Sequence, residues 1–116
     1  MSPASSNPQA DESLPAAVAA EWLQPFLDYL EKERRYSGYT VRNYRQAIED
    51  FHQWLKRSGR SAADFGRLTA REVRDFVIEA QSRFGRRTLH NHVSGLRTFY
   101  RYWMREGKLT KNPFLG

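Results

Sequence analysis

Apolar residues recur along this chain at three- and four-residue spacing in four separate stretches, and each predicts an amphipathic helix. In the first, from about Ala16 to Arg34, the residues Trp22, Leu23, Phe26, Leu27 and Leu30 form one stripe. Pro25 falls inside it. Without an N–H, and clashing with the preceding turn, it predicts a kink or a fresh start near Gln24. Tyr36-Ser37-Gly38-Tyr39 breaks the pattern. The second stretch is expected to start at Thr40, a good N-cap, and to bury Val41, Tyr44, Ile48, Phe51 and Leu55. Ser58-Gly59 ends it, with Gly59 suited to a left-handed C-cap. Residues 60–68 read as a connector with a short turn near Ala62 to Phe65. The third stretch opens on a capping box, Thr69-Ala70-Arg71-Glu72, and turns Val73, Phe76, Val77 and Ala80 inward. The fourth runs from about Arg86 to Glu106 on Leu89, Val93, Leu96, Tyr100 and Trp103, with Gly107 as C-cap and Asn112-Pro113 barring continuation. No stretch alternates with the two-residue period of a half-buried strand. The predicted fold is all-α, a bundle of four main helices.

Composition adds boundaries. The chain has 116 residues, one domain's worth, and 16 aromatic residues to build a core from. Residues 1–14, rich in Ser, Pro, Ala, Asn and Gln, predict a disordered leader, with the helical domain at 15–112 and a linker beginning at 113–116. No apolar run approaches the roughly 20 residues needed to span a bilayer. No export signal is visible, and there is no cysteine, which excludes disulfide scaffolds and thiolate zinc sites and fits a cytoplasmic setting.

Charge changes the picture more. The net charge is +6, but the first 21 residues hold three acids and no base, so the rest carries +9. From Arg83 to Lys111 there are eight basic residues against Glu106 alone. Arginine outnumbers lysine fifteen to four, and its planar fork suits phosphates and guanine edges. On the fourth helix Arg87, His90, Asn91, Ser94, Thr98, Arg101 and Arg105 fall opposite the apolar stripe, with Arg97 at the flank. That face holds no acid, whereas a merely solvated face mixes Glu with Lys. Arg86, Arg87 and Thr88 add the positive end of the helix dipole. Gly95 predicts close approach of another backbone. On the second helix Arg42, Asn43 and Gln46 project outward with Arg45 at the flank, before Glu49 and Asp50 close the basic surface. These groups read base edges and phosphates.

Catalytic chemistry is missing. His52, His90 and His92 show no metal spacing backed by a carboxylate, the seven glycines form no phosphate loop, and no base stands beside a hydroxyl to activate it. Asp75 and Glu79 read as a solvated face, and His52 as structural. No cofactor and no metal are expected.

The ordered residues 26–55, FLDYLEKERRYSGYTVRNYRQAIEDFHQWL, and 88–114, TLHNHVSGLRTFYRYWMREGKLTKNPF, resemble the N-terminal core-binding, SAM-like domain of tyrosine recombinases of the phage-integrase and Xer type. The resemblance rests on Thr40 with Tyr44, Phe51, Trp54-Leu55, Leu96-Arg97, Phe99-Tyr100 and Asn112-Pro113, and covers about residues 20–116. It implies one arm of a clamp around duplex DNA, with the second and fourth helices toward the major groove and other recombinase protomers as partners on DNA. The implied contacts are Thr40, Arg42, Asn43, Arg45, Arg86, Arg87, Thr88, His90, Asn91, Ser94 and Arg97. Asn91 and Arg97 are expected at base edges, Arg42 and Arg87 at phosphates. The resemblance also puts the family's catalytic Arg, Lys, His-x-x-Arg and Tyr beyond Gly116, so this chain alone is expected to be no enzyme, a fragment that is monomeric off DNA. Two other readings stay open: a stand-alone helix-turn-helix regulator, against which the 59–68 connector is long, and a helical protein–protein adaptor.

Overall fold

A computed structural model of the chain describes residues 14–114. Among these the secondary structure is wholly helical. Helix α1 comprises three abutting pieces: Ala16–Val18 in α geometry, Ala19–Leu23 as a π-helix, and Gln24–Lys32 in α geometry again. Helices α2 (Gly38–Arg57), α3 (Ala70–Gln81) and α4 (Arg86–Arg105) follow, with a 3-10 turn, Ala62–Arg67, between α2 and α3.

Pro25 has the predicted consequence. The π-turn ends directly before it, on a bond from the Gln24 N–H to the Ala19 carbonyl, and Pro25 then occupies the first turn of the last piece, where a missing donor costs nothing. In α geometry the Glu21 carbonyl would look to residue 25. Here the Lys108 ammonium donates to it at 3.4 Å, and Trp103 Nε1 donates to the Trp22 carbonyl at 3.1 Å. The proline thus leaves the Glu21 carbonyl to a tie from the far end of the chain, and the Trp22 carbonyl makes a second beside it.

The N-cap of α2 is Ser37, not Thr40. The Ser37 hydroxyl accepts from the Thr40 N–H at 3.2 Å and its backbone is extended, so Gly38 and Tyr39 are already helical. The α1–α2 turn closes on a bond from the Tyr36 N–H to the Leu30 carbonyl, with Arg35 left-handed at φ 54°. Glycine usually fills that place, and an L side chain there is strained. Gly59 and Gly107, at φ 76° and 83°, end α2 and α4 as expected, and Thr69 and Glu72 form the predicted capping box.

The connector before α3 belongs to the core. Ser61 and Asp64 form a second capping box, and Phe65 is buried, its ring edge-on to Trp22 at 5.0 Å. Its carbonyl accepts from the Tyr100 hydroxyl at 2.7 Å. Phe51 lies at the centre, 5.0 Å from Phe76 and 5.3 Å from Phe114 between ring centroids. Leu14 and Phe114, placed by the sequence in the leader and the linker, are both buried against this cluster. The rest of the predicted leader, residues 1–13, and residues 115–116 lie outside the described residues.

Burial holds Tyr100 well above the ordinary phenol pKa, and its hydroxyl is committed to Phe65. Tyr100→Phe leaves that buried carbonyl unsatisfied and is expected to cost about 1–3 kcal/mol in urea unfolding. The two buried histidines, His52 and His92, have Nδ1 atoms without a hydrogen-bond partner, and burial lowers both pKa values from 6.5. Lys56 lowers that of His52 further, while Asp50 and Arg83 act in opposite senses on His92. The unfolded state therefore binds protons first as pH falls. Stability present above about pH 6.5 is lost progressively below it, toward the lowered folded values. The melting temperature should fall between pH 7.5 and 5.5, and replacing both histidines by glutamine should flatten that fall.

Candidate nucleic-acid interface

The surface predicted from charge is assembled where α2 and α4 cross, the most extensive helix pair in the fold. Gly95 makes the crossing possible. A Cβ placed there would stand 3.0 Å from Tyr44 Cδ1, 3.1 Å from its Cγ and 3.4 Å from the Ala47 Cβ. Tyr44 is half-buried, with its ring edge-on to Tyr36 at 6.0 Å. The outward faces of the two helices therefore lie side by side.

On α2, Arg42 and Arg45 are exposed and Thr40 and Asn43 half-buried. On α4, Arg86, Arg87, Thr88 and His90 are exposed, while Asn91 and Ser94 are half-buried. Gly85 provides no side chain to cap α4, and the first turn holds no acid. The leading N–H groups of a 20-residue helix are thus open to an anion.

The arginines divide into two populations. One is bound to carboxylates: Arg83 to Asp50 and Glu79, Arg57 to Glu79, Arg67 to Asp64, and Arg60 to Glu72. Hydrogen bonds that Arg83 donates to Asp50 and Glu79 raise its pKa above its ordinary value. These pairs brace the α2–α3 side. Arg42, Arg86, Arg87 and Arg101 have no carboxylate partner among the described residues, and neither do Arg71 and Arg74 on α3. Arg45 is intermediate, 3.9 Å from Glu49.

Two expectations change. The buried stripe of α4 runs through His92, Gly95, Leu96, Phe99, Tyr100 and Trp103, while Leu89 and Val93 are only half-buried. The helix is rotated because α2 presses on the Gly95 side. His92, which a charge reading treats as polar, lies under the Phe84 ring at 4.7 Å. Arg97 turns to the opposite flank. Its Nε donates to the Phe114 carbonyl at 3.1 Å, and Asn112 Nδ2 donates back to the Arg97 carbonyl at 3.2 Å. Arg97 thus lines a cavity of about 370 Å³ with Val73, Arg74, Val77, Val93 and Phe114, away from the crossing. Among the described residues no group of three or more His, Cys, Asp or Glu could hold a metal ion, and no helix is long and apolar enough to cross a membrane.

The sequence profile of the family described as phage integrase, N-terminal SAM-like domain, matches residues 23–107, most of the chain and all of α2 to α4. The chain belongs to that family. This SAM-like domain is 39% identical over 100 residues to the tyrosine recombinase XerC of Bacillus licheniformis, covering 85% of this chain and 32% of the relative. It is 38% identical over 94 residues to that of Bacillus subtilis, covering 80% and 30%. The tyrosine recombinase XerC of Listeria innocua is 37% identical over 90 residues, 77% of this chain and 29% of the relative. The SAM-like domain here thus spans about a third of the length of these curated relatives. No solved structure matches it.

Gly95→Ala gains about 1 kcal/mol of helix propensity but forces its methyl against the Tyr44 ring. The expected net result is a loss of about 1 kcal/mol in chemical denaturation. A stabilised variant would show that Tyr44 yields freely.

Proposed function

We propose that this domain grips duplex DNA as the N-terminal clamp of a site-specific tyrosine recombinase. The observation that carries the reading is the basic surface joined across the Gly95 crossing, where Arg42, Arg86 and Arg87 lie exposed without carboxylate partners among the described residues and the first turn of α4 holds no acid. Thr40, Asn43, Arg45, Thr88, His90, Asn91 and Ser94 complete the surface. Arg42 and Arg87 hold phosphates, and Asn91, half-buried beside the crossing, reads a base edge. Arg97 contributes through whichever guanidinium donors the Phe114 carbonyl leaves unused. The relatives named tyrosine recombinase support placing this grip within a DNA breaking and rejoining protein whose chemistry lies in other residues. Tyr100 is buried and committed, which argues against its serving as a nucleophile in this domain. Other recombinase protomers join on DNA, and this chain by itself is monomeric.

Phosphate contacts make affinity fall steeply with salt, by about 0.9 in log K per log salt for each phosphate neutralised. A duplex titration at several salt concentrations should give a slope of several units, and a flat response would sink the reading. Arg42→Glu with Arg87→Glu should abolish most of the binding while the melting temperature stays near wild type. Unchanged DNA affinity in that variant would favour a protein–protein adaptor instead.

A further inference from the structure

At the other end of the α4 outer face, a half-open cavity of about 200 Å³ lies between the end of α1 and the second half of α4. Its walls are Tyr29, Arg34, Thr98, Arg101, Tyr102 and Arg105, three guanidinium groups and no carboxylate. Arg105 stacks over Tyr29 at 4.7 Å and Tyr102 at 5.5 Å, and is partly neutralised by Glu33 at 3.9 Å and Glu106 at 3.3 Å. Arg34 and Arg101 have no carboxylate partner among the described residues. Arg34 donates instead to the Tyr36 hydroxyl at 3.0 Å and lies over that ring.

Nothing in folding requires this convergence, since like charges gathered on one pocket repel. Arg34 is followed directly by left-handed Arg35, the one non-glycine residue with positive φ among the described residues. Arg101 is seven residues beyond Ser94 and fourteen beyond Arg87, so the three line up along α4 at about 10 Å intervals. We propose that this pocket is a phosphodiester seat, in which Arg34 and Arg101 hold a backbone phosphate of the same duplex that the Gly95 crossing grips. Thr98, whose hydroxyl donates to the Ser94 carbonyl at 2.9 Å, closes the pocket wall, and the Arg105–tyrosine stack fixes the shape. The footprint then extends along the whole of α4 and onto the end of α1. The inference rests on the duplex-binding reading above and deepens it.

The test is Arg34→Gln with Arg101→Gln in the full 116-residue chain, with circular dichroism to confirm folding. The comparison variant is Arg57→Gln with Arg67→Gln, which removes the same charge from arginines already neutralised by Glu79 and Asp64. The pocket variant should lower the slope of log K against log salt by about two and weaken duplex binding, and the comparison variant should leave the slope in place. An unchanged slope in the pocket variant overturns the seat while leaving the crossing intact as the grip. A flat slope in the wild-type chain overturns the duplex reading itself. Inorganic phosphate, titrated at constant ionic strength and followed by NMR at the Arg101 side chain, separates the sources. Saturable binding of it with no change in the duplex slope would assign the pocket to a free anion and overturn the phosphodiester assignment.

Discussion

Gly95 has no side chain, and the Tyr44 ring stands where one would be. Most of the functional surface follows from that contact. It lets α2 and α4 approach so closely that a Cβ at position 95 would already touch the Ala47 Cβ at 3.4 Å, and α4 turns His92 and Phe99 inward. The roll leaves Arg87, Ser94 and Arg101 outward on a line, beside Arg42 of α2. A larger residue at position 95 would separate the helices and turn each basic face away from the other. The glycine therefore acts through geometry, although its intrinsic effect on a helix is destabilising.

Around that contact, the carboxylates are distributed so as to leave one side bare. Asp50, Glu72 and Glu79 hold Arg83, Arg60 and Arg57 on the side where α2 meets α3. Exposed pairs of this kind contribute little to stability one by one. Arg83 is the exception in geometry, since it bridges Asp50 on α2 and Glu79 on α3 with four hydrogen bonds. The effect on the field is larger than the effect on stability: Asp50, Glu72 and Glu79 are engaged where arginines brace helices, and the first turn of α4 holds no acid, so Arg86 and Arg87 keep their positive potential there.

Helix number, order and ends could be read from the sequence because local chemistry decides them. Thr69 with Glu72, Gly59, Gly107 and Pro25 each acted through neighbours within one or two turns. Ser37 was missed as a cap because the Thr40 hydroxyl offers the same chemistry three residues later, and only the extended backbone at Ser37 distinguishes them. The basic faces were legible from periodicity, but their exact roll was not. Leu89 and Val93 are as apolar as any core residue, and what sends them to the flank is the pressure of α2 at Gly95, a contact more than 40 residues distant in sequence. Arg34 carries no signal at all in the pattern. It becomes a neighbour of Arg101 only once the end of α1 packs beside the second half of α4.

Arg97 shows how one residue can belong to both the surface and the frame. Helical spacing puts it at the edge of the basic face, and a guanidinium there suggests a base contact. Its Nε instead holds the carbonyl of Phe114, while the Asn112 side chain donates to the Arg97 carbonyl and accepts from the Phe114 N–H. Those three bonds fasten an otherwise irregular segment across the helix, and Phe114 fills the space between Phe51, Phe76 and Tyr100. An irregular segment buries an aromatic ring only if its own polar backbone is satisfied, and Asn112 and Arg97 supply that. The direction in which the chain leaves α4 is thereby set by a residue of the same helix that presents the basic face. Removing the Arg97 side chain would therefore loosen the segment and unseat Phe114, apart from any loss of charge, and should lower the melting temperature more than removing an exposed arginine such as Arg42.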